Sequence, residues 1–152
     1  MKSTTRPFQL LSDETRIRIL MLLMGRELCV CQIMGVLGIP QPLVSRNLTL
    51  LSDAGLLCER REGTLMFYAV RRDLPASSRQ ATAILKHELN GDRTIREDLQ
   101  SLADCHGFQK VTGKCDMETF LEFMKKKKGK RQNVSVLRNI HQRRLIGGTN
   151  EK

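Results

Sequence analysis

Residues 41–70 read QPLVSRNLTLLSDAGLLCERREGTLMFYAV, and the spacing of apolar residues changes partway along them. Over Gln41–Ala54, Val44, Leu48 and Leu51 recur every three to four residues, which is the period of one buried helix face. After Gly55 the period drops to two. Leu56–Arg61 and Thr64–Val70 are short runs of aliphatic, aromatic and β-branched residues, and Glu62-Gly63 between them is a tight-turn pair. Upstream, a shorter helix fits Val30–Leu37 with Ile33 and Leu37 inward and Gly38 free to adopt the left-handed conformation that ends it. Pro40 and Pro42 suit the first turn of the helix that follows. Further upstream still, Ser12 is a predicted N-cap with Asp13 and Glu14 in the first turn, followed by a stripe of Ile17, Leu20 and Leu23 or Met24 up to Gly25. Helix, turn, helix, hairpin is the order of a winged helix-turn-helix, so the expected class is mainly α with a β-hairpin wing (α+β).

Beyond the hairpin, Pro75–Leu89 reads as a helix with Ala81, Ile84, Leu85 and Leu89 on one face. Asn90-Gly91 is a helix-stop signal and divides the chain. Residues 1–90 are expected to form the winged-helix domain and residues 91–124 a helical extension. Within that extension Asp92 caps a helix striped by Ile95, Leu99 and Leu102, and Asp116 caps another with Met117, Phe120, Leu121 and Met124. Residues 125–152 are expected to be a basic flexible tail, because Lys125–Arg144 is rich in lysine and arginine and contains no acidic residue.

The length of 152 residues allows one domain plus an appended segment. The formal net charge of +10 points to polyanions such as nucleic acid. No apolar run approaches the roughly 18–20 residues of a membrane span, and the first residues lack a signal peptide's apolar stretch. The expectation is a soluble cytoplasmic protein with no membrane partner. Five cysteines, an odd number, argue against a disulfide framework and for buried, reactive or metal-binding thiols.

On the helix from Gln41 to Ala54 the outward residues are Gln41, Ser45, Arg46, Thr49 and Ser52, a small polar face that suits the major groove of DNA. The candidate DNA-reading set is Gln41, Ser45, Arg46, Asn47 and Thr49, with Arg60 and Arg61 of the hairpin placed to meet backbone phosphates. Arg71 and Arg72 add non-specific attraction. Glu27–Gln32, ELCVCQ, places two thiols two residues apart at the start of a helix, where N–H groups and the dipole favour thiolate. Thiolates select soft metals and metalloids. Residues two apart in a regular helix point about 200° apart, so Cys29 and Cys31 cannot both bind one ion while that turn stays regular, and ligation must distort or unwind the helix start. Cys58, Cys105 and Cys115 are candidates for a third ligand, Cys58 more as a packing residue of the hairpin. No general base or CxxC pair accompanies the thiols, so no catalytic residue is assigned and an enzyme is not expected.

LSDETRIRIL, ELCVCQ, QPLVSRNL and the L-x-x-x-RREG-x-x-x-x-Y hairpin together resemble the ArsR (ArsR/SmtB) family of winged-helix metalloregulatory repressors, over roughly residues 6–89. The resemblance implies a homodimer in which Arg6–Leu11 and Pro75–Leu89 form the interface. It implies a repressor that binds double-stranded operator DNA, needs no cofactor, and leaves DNA when its effector, As(III) or Sb(III), binds Cys29 and Cys31. The alternative is the same repressor responding to another soft ion, cadmium or lead, or to thiol oxidation. Two departures are Pro40, where the family has a serine before the glutamine, and Met34, where the commoner pattern has a third cysteine. The ligand pairs of the family's zinc sensors are missing from Pro75–Leu89, which has only His87 beside Glu88.

Overall fold

The computed structural model describes residues 2–113, 116 and 118–129. Its elements are α1 (Lys2–Leu10), α2 (Glu14–Leu23), β1 (Leu28–Cys29), α3 (Val30–Leu37), α4 (Gln41–Asp53), β2 (Leu57–Glu62), β3 (Leu65–Val70), α5 (Ala76–Glu88) and α6 (Arg93–Thr112). A last helix, α7, covers 118–129. This is a winged helix-turn-helix: α3 and α4 flank a short turn containing Gly38, whose φ of 69° ends α3 in the left-handed region. Pro40 follows as the N-cap of α4.

The wing is β2 paired antiparallel with β3 from Leu57↔Val70 to Glu62↔Leu65, which leaves Gly63 and Thr64 as the turn. The unexpected β1 pairs with the other side of β3, Leu28 opposite Tyr68 and Cys29 opposite Phe67, so the sheet order is β1-β3-β2. Two residues are too few to show a period in the sequence.

The start of α2 lies one residue later than expected. Asp13 is the N-cap, its carboxylate accepting the Arg16 N–H at 2.9 Å, while the Ser12 hydroxyl donates to the Gln9 carbonyl at 2.7 Å and closes the end of α1. The buried residues of α2 are Ile19, Leu20, Leu22 and Leu23, a wider face than the predicted stripe. The width follows from its neighbours, because α4, α6 and β3 all pack on this helix.

One apolar cluster unites α2, α3 and α4 with Leu102 and Cys105 of α6 and with Phe120 and Phe123 of 118–129. The segment expected as an extension over residues 91–124 therefore shares its core with the winged helix. Its inward stripe is also not the predicted one: Ile95, Asp98, Ser101, Leu102 and Cys105 are buried and Leu99 is exposed. The rotation has an electrostatic reason. Arg18 of α2 donates through Nε and a terminal nitrogen to the two Asp98 oxygens, both at 2.7 Å, a forked pair that draws Asp98 inward.

α3 is enclosed on nearly all sides, Cys31 through Leu37 all being buried. Gly35 makes this possible, since a Cβ there would lie 3.2 Å from Phe120 and 3.3 Å from Phe123, so its missing side chain lets the two rings approach the backbone of α3. Asp116 caps α7 as predicted, accepting the Thr119 N–H at 2.8 Å. The first residues of the expected tail, 125–129, are helical. Lysine is a good helix former, and these lysines have partners: Lys126 pairs with Glu122 at 3.0 Å and lies over the Phe108 ring, and Lys127 reaches the Val36 carbonyl. Met117 and the remainder of that tail, 130–152, lie outside the described residues.

On α5, Ser78, Ala81 and Thr82 are buried, whereas Ile84, predicted inward, is 58% exposed. α1 packs on α5 in the same chain and leaves Phe8 53% exposed. Both helices thus keep a large apolar side chain in water.

Candidate DNA-reading surface and thiol turn

Val44, Leu48 and Leu51 anchor α4 in the core, which turns its opposite face outward. Gln41, Arg46 and Thr49 are exposed and Ser45 is half-buried. Thr49 donates its hydroxyl to the Ser45 carbonyl at 3.0 Å. Among the described residues Arg46 makes no ion pair with a carboxylate. Asn47 departs from the expected set. It is 5% exposed, and its Nδ2 donates to the Leu43 carbonyl at 2.9 Å, because its position falls beside Val44 and Leu48 on the inner side of the helix. Asn47 is thus nearly buried and bonded within its own helix, unlike the exposed Gln41, Arg46 and Thr49. Ser52, also expected outward, is half-buried with its hydroxyl enclosed and unpaired.

The two wing arginines differ. Arg60 is exposed, yet its guanidinium is occupied: Nε and one terminal nitrogen donate to Glu27 at 2.9 Å each, the other donates to Glu62 at 2.6 Å, and the plane lies over Phe67 at 4.9 Å. In this arrangement Arg60 ties the wing to the loop before β1. The bond from Arg60 holds the Glu27 carboxyl below the usual carboxylate range. Glu27 therefore stays charged and paired at neutral pH, and the pairing is lost only as pH falls through that lowered value. Arg61, exposed, donates Nε to the Gly63 carbonyl at 3.2 Å and is the wing cation that faces solvent at the tip. Arg71 is forked to Asp73 at 3.1 and 2.7 Å.

Cys29 and Cys31 sit where β1 turns into α3. Cys29 is the last residue of β1 and the N-cap of α3, with extended φ −86° and ψ 165°; Cys31 is the second residue of the helix. The helical angle expected between them does not apply, because Cys29 is held by its pairing with Phe67 and not by the helix. Both thiols are buried, at 1% and 7% exposure. Sequence reasoning missed the side chain that closes this turn, Gln32, whose Oε1 accepts the Cys29 N–H at 2.9 Å. The three-residue spacing of a capping box was the available signal, hidden because cysteine is an unusual cap.

Of the other thiols, Cys105 is buried on α6 within the common core, and Cys58 is exposed on β2 with its Sγ 3.5 Å from the Ala69 carbonyl. Among the described residues no three Cys, His, Asp or Glu side chains gather into a cluster able to hold a metal ion. Neither Cys58 nor Cys105 completes such a set with Cys29 and Cys31, and Cys115 lies outside the described residues. His87 is exposed beside Glu88, 3.2 Å away. The donor set of the turn is therefore two soft thiols beside helix N–H groups, with the buried Met34 one turn along.

Residues 13–58 match the family described as bacterial regulatory protein, arsR family. The arsenical resistance operon repressor of Escherichia coli K12 is 44% identical over 71 residues, which span 45% of this chain and 60% of that protein. The matches to three arsenic-resistance regulators span only 54–61% of those proteins' own lengths. An HTH-type transcriptional regulator of Methanocaldococcus jannaschii, MJ1325, is 42% identical over 67 residues and is covered to 75% of its length, by 43% of this chain. Among solved structures, the homodimeric winged helix-turn-helix DNA-binding domain of Mb0332 from Mycobacterium bovis superposes with a TM-score of 0.50 at 26% identity, covering 60% of this chain and 82% of that one. The chain belongs to the arsR family of bacterial regulatory proteins.

Proposed function

We propose that the protein is a transcriptional repressor that binds operator DNA as a homodimer and leaves it when trivalent arsenic or antimony binds Cys29 and Cys31. The observation that carries this reading is the position of the two buried thiols at the mouth of α3, the helix that buttresses the reading helix α4. A ligand that rearranges this turn acts directly on the helix-turn-helix. The homodimer is supported by the exposed Phe8 and Ile84 on the packed pair α1 and α5, an apolar surface that a second copy would cover. DNA is supported by the net charge of +10 and by Gln41, Arg46, Thr49 and Arg61 in solvent. Such a regulator works in the cytoplasm, and among the described residues no helix is long and apolar enough to cross a membrane.

The test is a fluorescence-anisotropy titration of a palindromic promoter fragment with the reduced protein, with and without arsenite. Tight binding that arsenite reverses is the expected result. Release by cadmium or lead and not by arsenite would change the ion, and release by oxidant alone would make the thiols a redox sensor. Absence of DNA binding would reject the reading altogether.

Two outcomes follow for the DNA surface. Raising salt from about 50 to 200 mM should weaken binding far more than twofold, because each phosphate neutralised releases counterions. Arg46→Ala should cost about 1–3 kcal/mol on the specific site and less on random DNA, if its guanidinium reads a base edge. Equal loss on both DNAs would make it a phosphate contact.

A further inference from the structure

The carboxamide of Gln32 is used at both ends. Its Oε1 accepts the Cys29 N–H at 2.9 Å, and its Nε2 donates to Oε1 of Gln109, on α6, at 3.1 Å. One intervening side chain thus connects α6 to the thiol turn. The same face of α6 grips the far end of α3, where Ser101 donates to the Val36 carbonyl at 3.2 Å and Lys127 reaches both groups. Gln109, Ser101 and Lys127 all lie outside residues 13–58, the part that the family pattern matches.

We propose that Gln109 is a positioning residue for the thiol turn, and that by holding Gln32 it raises the metalloid concentration at which DNA is released. The proposal rests on the reading of Cys29 and Cys31 as the effector site. Both thiols are buried, so an ion reaches them only when the Cys29 backbone moves relative to α3; that movement lengthens the Cys29–Gln32 bond, and a Gln32 anchored to α6 cannot follow. The ligand-free turn is thereby stabilised relative to the rearranged one. An effector shifts such an equilibrium only by the difference in its affinity for the two forms, so added stability in the free form is subtracted from its apparent affinity.

Two variants of the full chain test this. Gln109→Leu removes the acceptor, whereas Gln109→Glu keeps an oxygen for Gln32 Nε2. In arsenite titrations of the reduced operator complex, the release midpoint should fall about fivefold in Gln109→Leu, the equivalent of one ordinary hydrogen bond, and stay near the parent value in Gln109→Glu. An unchanged or raised midpoint in Gln109→Leu overturns the proposal, as does an equal shift in both variants. Hydrogen exchange at the Cys29 amide, measured without arsenite or DNA, should be about fivefold faster in Gln109→Leu and normal in Gln109→Glu. Unchanged exchange overturns the positioning role whatever arsenite does. If the parent ignores arsenite while the exchange rates behave as expected, the effector assignment has failed and the hold on the turn stands.

Discussion

Cys29→Ser and Cys31→Ser are each expected to bind operator about as tightly as the parent protein and to remain bound when arsenite is added. A serine at either position is close to cysteine in size, and at Cys29 its hydroxyl can replace the thiol as the side-chain acceptor of the capping box, while the backbone pairing with Phe67 and the N–H bond to Gln32 are unchanged. What serine removes is the soft donor, and hydroxyl oxygen is a poor substitute for thiolate toward a thiophilic ion. The loss should be the whole coupling between effector and DNA, on the order of 5–150-fold in operator affinity, the usual span of allosteric coupling. An operator-release titration of the reduced mutants measures it. Cys58→Ser should respond as the parent does, since that thiol is exposed on β2 beside Ala69. Normal release by both Cys29→Ser and Cys31→Ser would move the sensor to another thiol.

Phe120→Ala should destabilise the fold by about 3–5 kcal/mol, the usual cost of emptying a buried aromatic site. The ring has 0% exposure and lies against the backbone of α3 at Gly35. A collapse that filled the cavity would need α7 to approach α3 further, and the neighbouring Phe123 already stands at the same glycine. Domain stabilities are commonly about 5–15 kcal/mol, so the variant would lose a large share of its margin. Urea denaturation followed by circular dichroism gives the number. A loss below about 1 kcal/mol would show that α7 does not contribute to the common core.

The helix-turn-helix and its wing were legible because each is written in a strong local signal. α3 and α4 match the predicted Val30–Leu37 and the predicted start at Gln41, and the strands match the alternation after Gly55. The misses have physical causes. β1 is too short to show a period, and it alone decides that Cys29 is extended. The stripe of α6 was misread because its inward face includes Asp98, which a hydrophobic pattern excludes and which only Arg18, 80 residues away, makes acceptable there. Asn47 was included in the DNA-reading set, but its neighbours Val44 and Leu48 place it toward the core. The ion pair of Arg60 was not legible because its partner Glu27 lies 33 residues earlier. In each case a contact between distant parts of the chain outweighed the local pattern.

On the proposed reading of Cys29 and Cys31 as the effector site, the enclosure of α3 also governs how fast the protein answers. With Cys29 at 1% and Cys31 at 7% exposure, an ion from solvent meets the pair only during transient opening of the structure around them. The rate of entry is then the opening equilibrium multiplied by the intrinsic capture rate, when closing is faster than capture. Every contact that steadies α3, from the two phenylalanine rings to the lysine at Val36, lengthens the delay between the arrival of the ion and its capture. Delay filters brief pulses and passes sustained exposure, so packing far from the sulfur atoms sets the time resolution of the response.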